Sequence, residues 1–133
     1  MKKRILSLVL VLTIIIATSI PAFAATYSNT GSHTGSTGTC NYHTYATCTA
    51  SSWNALIEWT GSTDSYTNYL FKTNVTYYPS DGLGGFNLPE NVPGYASTRM
   101  GQNTGTGYSL YGIQAYYYVN NTSAGQSPVL KVY

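Results

Sequence analysis

Between Trp53 and Trp59 the chain keeps a repeat of two: Trp53, Ala55, Ile57 and Trp59 fall on one side, Asn54, Leu56 and Glu58 on the other. A repeat of two is that of a pleated strand, whose successive side chains point to opposite faces, and no helix reproduces it. The repeat returns at residues 66–78, where Tyr69, Phe71, Val75 and Tyr77 share one face and Asn68, Lys72, Asn74 and Thr76 the other. Residues 108–119 form another long strand with apolar side chains on both faces, which predicts a central place in a sheet. The stretch from Leu70 to Tyr78 also echoes the stretch from Leu110 to Tyr118, as two strands under one burial rule do.

The segments between these strands are rich in turn formers. Thr60 to Asp64 reads as a turn, and Pro79-Ser80-Asp81-Gly82 stops the second strand because proline cannot donate to a ladder and Asp-Gly favours reversal. Residues 79–95 are expected to form a long loop with a short edge strand around Phe86 and Leu88. Residues 95–100 then form a short strand, 101–107 a turn, 120–128 a further turn and 129–133 the closing strand. The expected fold is all-β: a small antiparallel β-sandwich of about six to eight strands.

Ahead of this domain stands a segment of another kind. Lys2, Lys3 and Arg4 precede an almost wholly apolar run, and Ala22-Phe23-Ala24 supplies a small-x-small cleavage pattern, so residues 1–24 read as a signal peptide. Residues 25–38 read as a flexible Ser/Thr/Gly-rich lead and residues 39–133 as one domain. Removal of the leader takes away half of the basic residues, leaving Lys72, Arg99 and Lys131 against Glu58, Asp64, Asp81 and Glu90. So few and scattered cations argue against nucleic acid and against an electrostatic membrane patch. The expected location is outside the cell or loosely at its envelope.

Cys40 and Cys48 are the only cysteines. An isolated pair in an oxidising compartment predicts a disulfide. A straight strand would hold the two apart by eight steps of about 3.3 Å, so the bridge requires a reversal near His43-Thr44-Tyr45. Closing so short a ring would stabilise the fold by roughly 2.5 kcal/mol.

The inventory for chemistry is thin. Glu58 and Glu90 are the only glutamates, and nothing in their spacing brings them together as a glycosidase pair. His33 and His43 stand outside any ligand pattern, Asp81 is a single carboxylate in a turn, and no metal or cofactor is called for. The anomaly is the tyrosine count, fourteen. A buried phenol without a partner costs about 1–3 kcal/mol, so some of these rings must lie at the surface. The expected function is that of a secreted, non-catalytic binding or envelope-associated domain engaging a cell-surface glycan or an envelope protein. Trp59, Tyr78, Tyr116 and Tyr118 are the candidate contacts. A small secreted toxin or bacteriocin-like effector and a small glycan hydrolase are the alternatives.

Overall fold

The computed structural model describes residues 24–36, 38–61, 69–81, 83, 87–106 and 109–132. The proposed leader, the residues around Phe86 and most of the turn after Thr60 therefore lie outside the described residues. Among those described the protein is all-β, with strands β1 (Ala25–Gly35), β2 (Gly38–Cys48), β3 (Ser52–Trp59), β4 (Phe71–Pro79), β5 (Glu90–Ser97), β6 (Met100–Thr106), β7 (Leu110–Val119), β8 (Thr122–Gln126) and β9 (Leu130–Lys131). They form one antiparallel sheet in the order β1-β2-β3-β6-β5-β4-β7-β8, with β9 also pairing β7.

The expected sandwich of two separate sheets is replaced by this single sheet, curled until it is nearly a closed barrel. The reason lies in β5, which pairs with β4 through most of its length and with β6 at Tyr95↔Gln102. Lys72 stands opposite Ala96 but Asn74 opposite Pro93, so Gly94 and Tyr95 together face Thr73 and make a bulge. The bulge bends β5 and lets β4 come close to β6. A Cβ on Gly94 would collide with the carbonyl oxygen of Thr73, and one on Gly101 would sit 2.5–2.7 Å from the backbone of Lys72. Thr73 Oγ1 closes the corner by donating to the carbonyl of Gly101 at 3.0 Å.

At this corner residues 101–106, expected to lie in a turn, are strand β6 instead, and residue 107 lies outside the described residues. Gly101 and Gly105 lie inside β6, where glycine marks close approach rather than reversal. The ring of Trp53 covers Gly105 from the facing position of β3. The true reversal is at residues 98–99, which Ser97 organises by donating to the carbonyl of Met100 at 2.7 Å and accepting from its N–H at 3.1 Å. After β7 the chain reverses through Asn120 and Asn121, both at positive φ (50° and 61°), as a two-residue hairpin requires. Residues 122–126 of the expected 120–128 turn are strand β8.

The interior is filled from both walls. Trp53, Ala55 and Ile57 of β3 face Phe71, Val75 and Tyr77 of β4 and Ile113, Ala115, Tyr117 and Val119 of β7, all buried. The alternations read at 53–59 and 66–78 therefore place the core, and in β7, expected to be apolar on both faces, only one face is buried from Ile113 onward. The buried rings keep their polar atoms satisfied. Trp53 stacks on Tyr77 at 5.4 Å and donates its indole N–H to Asn103 Oδ1 at 2.8 Å, and Asn103 donates in turn to the carbonyl of Val92. Tyr117 stacks on Tyr27 and donates to the carbonyl of Tyr45 at 3.0 Å. Tyr42 donates to the carbonyl of Ala124 and so ties β2 to β8 across the gap in the barrel.

Two expectations fall on the β1–β2 hairpin and are corrected. Residues 25–35 are no flexible lead but the edge strand β1, paired with β2 from Ala25↔Cys48 to Gly35↔Gly38. Ala25, Tyr27, Gly31 and His33 turn inward at alternate positions, which a scan for large apolar residues misses. Cys40 and Cys48 form no disulfide. Both are buried with free thiols on one face of β2, which runs without reversal through His43, Thr44 and Tyr45. Eight residues of strand separate their Cα atoms by roughly 26 Å, against a bridging limit of about 7 Å.

Burial raises the thiol of Cys48 from its ordinary 9.0 to about 11. The folded state therefore holds a proton that the unfolded chain releases above pH 9, and stability must fall as pH rises. We predict a contribution fully present below pH 9 and lost progressively as pH passes 11. Urea midpoints at pH 8, 9.5 and 11 should decline less steeply in Cys48→Ala than in the wild type, by roughly 1–3 kcal/mol over that range. At the corner, Gly101→Ala should lower unfolding stability by about 2–3 kcal/mol through overpacking against Lys72, read by urea denaturation.

Candidate functional site

Because rings and methyls fill the barrel, the side chains left for a ligand are those on the outer faces of the strands. On β4 these are Lys72, Asn74, Thr76 and Tyr78, on β5 Asn91 and Pro93, and on β7 Gln114, Tyr116 and Tyr118. The register sets Asn74 between Pro93 and Tyr116, and Thr76 between Asn91 and Gln114. Together they line a groove of about 400 Å³ walled by Tyr116, Tyr118, Val92 and Pro93, with Asn74, Thr76 and Asn91 as its polar groups. Such a size is within the range of small-ligand sites.

Each polar group in the groove is held. Thr76 Oγ1 donates to Asn91 Oδ1 at 2.6 Å, and the Tyr116 hydroxyl donates to Gln114 Oε1 at 2.9 Å. Lys72 Nζ lies 6.0 Å from the centre of the Tyr118 ring, a cation–π distance that steadies the ring. One atom breaks the pattern. Asn74 Oδ1 is buried and accepts no hydrogen bond. A buried acceptor without a donor costs about 1–3 kcal/mol and is rare in folded proteins, and here it belongs to a residue that lines the groove.

The four candidate contacts divide. Tyr116 and Tyr118 stand two residues apart on the outer face of β7, about 7 Å along the strand, and share the groove. Tyr78 is on the outer face of β4 beyond Thr76 and is not among the groove-lining side chains. Trp59 is on another wall. Half-buried at the rim, it covers Gly61 and lines a second cavity of about 450 Å³ with Glu58, Thr60, Arg99 and Met100.

Sequence reasoning missed Asn74, because alternation assigns it to the polar face but gives no sign of what stands beside it. Glu58, on the polar face of its strand, places Oε1 3.3 Å from His43 Nδ1 on the neighbouring strand, a pairing that the sequence does not show. The structure also keeps Glu58 from Glu90. Glu58 is level with Met100 at the turn between β5 and β6, whereas Glu90 begins β5 seven residues away, on the order of 20 Å.

No protein family matches the chain, and no curated protein or solved structure matches it significantly. The reading of the groove therefore rests on its own geometry. Because the unpartnered carboxamide lowers stability, Asn74→Val should leave the thermal midpoint unchanged or raise it, by up to about 1 kcal/mol of unfolding free energy in calorimetry. A fall of that size would show that Asn74 is a structural residue instead.

Proposed function

We propose that this chain is an exported, envelope-associated or freely secreted binding domain whose ligand is a neutral glycan, held in the groove of Asn74, Tyr116 and Tyr118. The observation that carries the reading is the unsatisfied Asn74 Oδ1 lying between a facing strand and two outward tyrosine rings. Aromatic faces offer apolar area with little conformational entropy to lose, which suits the C–H faces of sugar rings. Asn74, Thr76 and Asn91 bring carboxamide and hydroxyl groups that exchange hydrogen bonds with sugar hydroxyls. No formal charge lines the groove, so a polyhydroxylated neutral ligand fits it better than a phosphate or a carboxylate.

Export is part of the same proposal. It rests on the basic start, apolar run and small-x-small pattern of residues 1–24. Glycans of a cell surface or its surroundings are the ligands such a location provides.

The test is calorimetry and affinity electrophoresis of the mature chain against a panel of neutral polysaccharides: β-glucan, xylan, chitooligosaccharides and isolated wall glycan. Binding to at least one member is expected. Tyr116→Ala and Tyr118→Ala should each weaken it about tenfold or more while the far-ultraviolet spectrum is unchanged, and Trp59→Ala should leave it intact. Absence of binding across the panel, or binding that survives both tyrosine substitutions, would overturn the assignment.

A further inference from the structure

A second outer wall carries a different arrangement. On β1, β2 and β3 the side chains of Ser28, His43 and Glu58 run across three adjacent strands. Ser28 Oγ is 2.7 Å from His43 Nε2, and His43 Nδ1 is 3.3 Å from Glu58 Oε1. The carboxylate only accepts, so Nδ1 carries the proton and donates to it. The neutral ring then presents a lone pair at Nε2, which accepts the Ser28 hydroxyl proton. This is the atom order of a serine nucleophile, its general base and the carboxylate that fixes the tautomer, a constellation recognised by geometry and not by fold.

The backbone supplies a further part. Asn29 accepts from Thr44 Oγ1 through its carbonyl, so the polar groups of Asn29 face β2. The N–H of Thr30 donates instead to the side chain of Asn29 at 2.9 Å. N–H groups alternate in direction along an antiparallel strand, so the N–H of Ser28, like that of Thr30, lies on the free edge of the sheet. Among the described residues no ladder joins β1 to another strand on that side. A nucleophile whose own N–H is outside the ladder has a donor for the oxyanion that forms beside it.

We infer that Ser28, His43 and Glu58 form an esterolytic site on the β1–β2–β3 wall, acting on short-chain carboxylic esters. The site is apart from the groove and does not rest on the glycan reading; it replaces the expectation of a chain without catalysis. Ser28 attacks the acyl carbon, forming a C–O bond as its proton passes to His43 Nε2. Collapse of the tetrahedral intermediate breaks the bond to the leaving alkoxide, which takes that proton from His43. Water then attacks the acyl-serine by the same route, releasing the carboxylic acid and restoring Ser28. Glu58 is a positioning residue. A short acyl group is specified because Ser28 is exposed among the hydroxyls of Thr26 and Thr30 on an open strand face, which gives a long chain no apolar slot.

The test is covalent labelling of the folded mature chain with a small fluorophosphonate, the adduct located by peptide mass spectrometry, together with hydrolysis of p-nitrophenyl acetate. Labelling is expected at Ser28, about 100-fold faster than in the urea-unfolded chain, and lost in Ser28→Ala. His43→Ala should reduce it to the unfolded rate. The charged or titratable groups around His43 are Glu58 from β3, Tyr45 on its own strand and Arg99 at the turn beside Glu58; the outer face of β1 adds none. Glu58→Gln should slow labelling about tenfold and Glu58→Asp should restore most of the rate, as a carboxylate that orients an imidazole requires. No adduct at Ser28, or an adduct whose rate is unchanged by unfolding or by His43→Ala, would reduce the three residues to a surface hydrogen-bond chain and overturn the inference. Retained circular dichroism in each variant separates loss of chemistry from loss of fold.

Discussion

The structure depends on how closely two strands approach at one corner. A single antiparallel sheet closes on itself only if it bends sharply somewhere, and here the bend is at β5, where Gly94 and Tyr95 face the single residue Thr73. Gly101 then lies against the backbone of Lys72 with no space for a Cβ. With a side chain at either glycine, β4 and β6 would be pushed apart and the sheet would open. The closed interior, and with it the burial of Tyr117, Phe71 and Ile57, follows from that contact.

Closure also dictates where the tyrosines go. A barrel this small is filled by side chains alone, and a phenol or indole inside it needs a partner for its polar atom. Trp53 finds Asn103, Tyr117 finds the carbonyl of Tyr45, and Tyr42 reaches Ala124 across the open seam. Those partners are backbone carbonyls and one asparagine, a limited supply. Tyr45, Tyr78, Tyr116 and Tyr118 accordingly sit on the outer faces. The aromatic excess of the sequence thus splits into a structural set and a surface set by the parity of each residue along its strand.

That parity was legible in the sequence wherever large apolar residues marked it. The faces of β3 and β4 are those the alternation at 53–59 and 66–78 assigns, whereas the two-sided apolarity of 108–119 placed β7 inside the sheet without saying which face is buried. Where the inward positions hold glycine, alanine or histidine, as at Gly31 and His33 of β1 or Gly101 and Gly105 of β6, the same alternation exists without a hydropathic signal. Those strands were read as lead and turn. The cysteines failed for another reason: the expectation of a disulfide imposed a reversal on residues that continue an unbroken ladder, although Tyr42, Thr44 and Ala46 already keep the period of two. Of the candidate site, Tyr116 and Tyr118 were named as contacts from the tyrosine excess, but their shared outer face was not legible in a strand apolar on both sides. Asn74 and the pairing of His43 with Glu58 were not legible either, because both depend on inter-strand register, which local pattern does not encode.

The two outer walls differ in what their strands permit. The groove lies on β4, β5 and β7, where β4 and β7 have partners on both sides, so Asn74 and the two tyrosines hang from backbone fixed by ladders left and right. A site on such strands is preorganised, and an unsatisfied acceptor persists there because its surroundings cannot relax to reach it. Ser28 is on β1, which among the described residues pairs with β2 alone and leaves N–H groups on its far side outside any ladder. Edge backbone has donors to offer that central backbone has already committed. The proposed recognition by rigid side chains therefore suits the β4–β5–β7 wall, and the proposed chemistry, which needs an N–H outside the ladder beside a hydroxyl, suits the β1 edge.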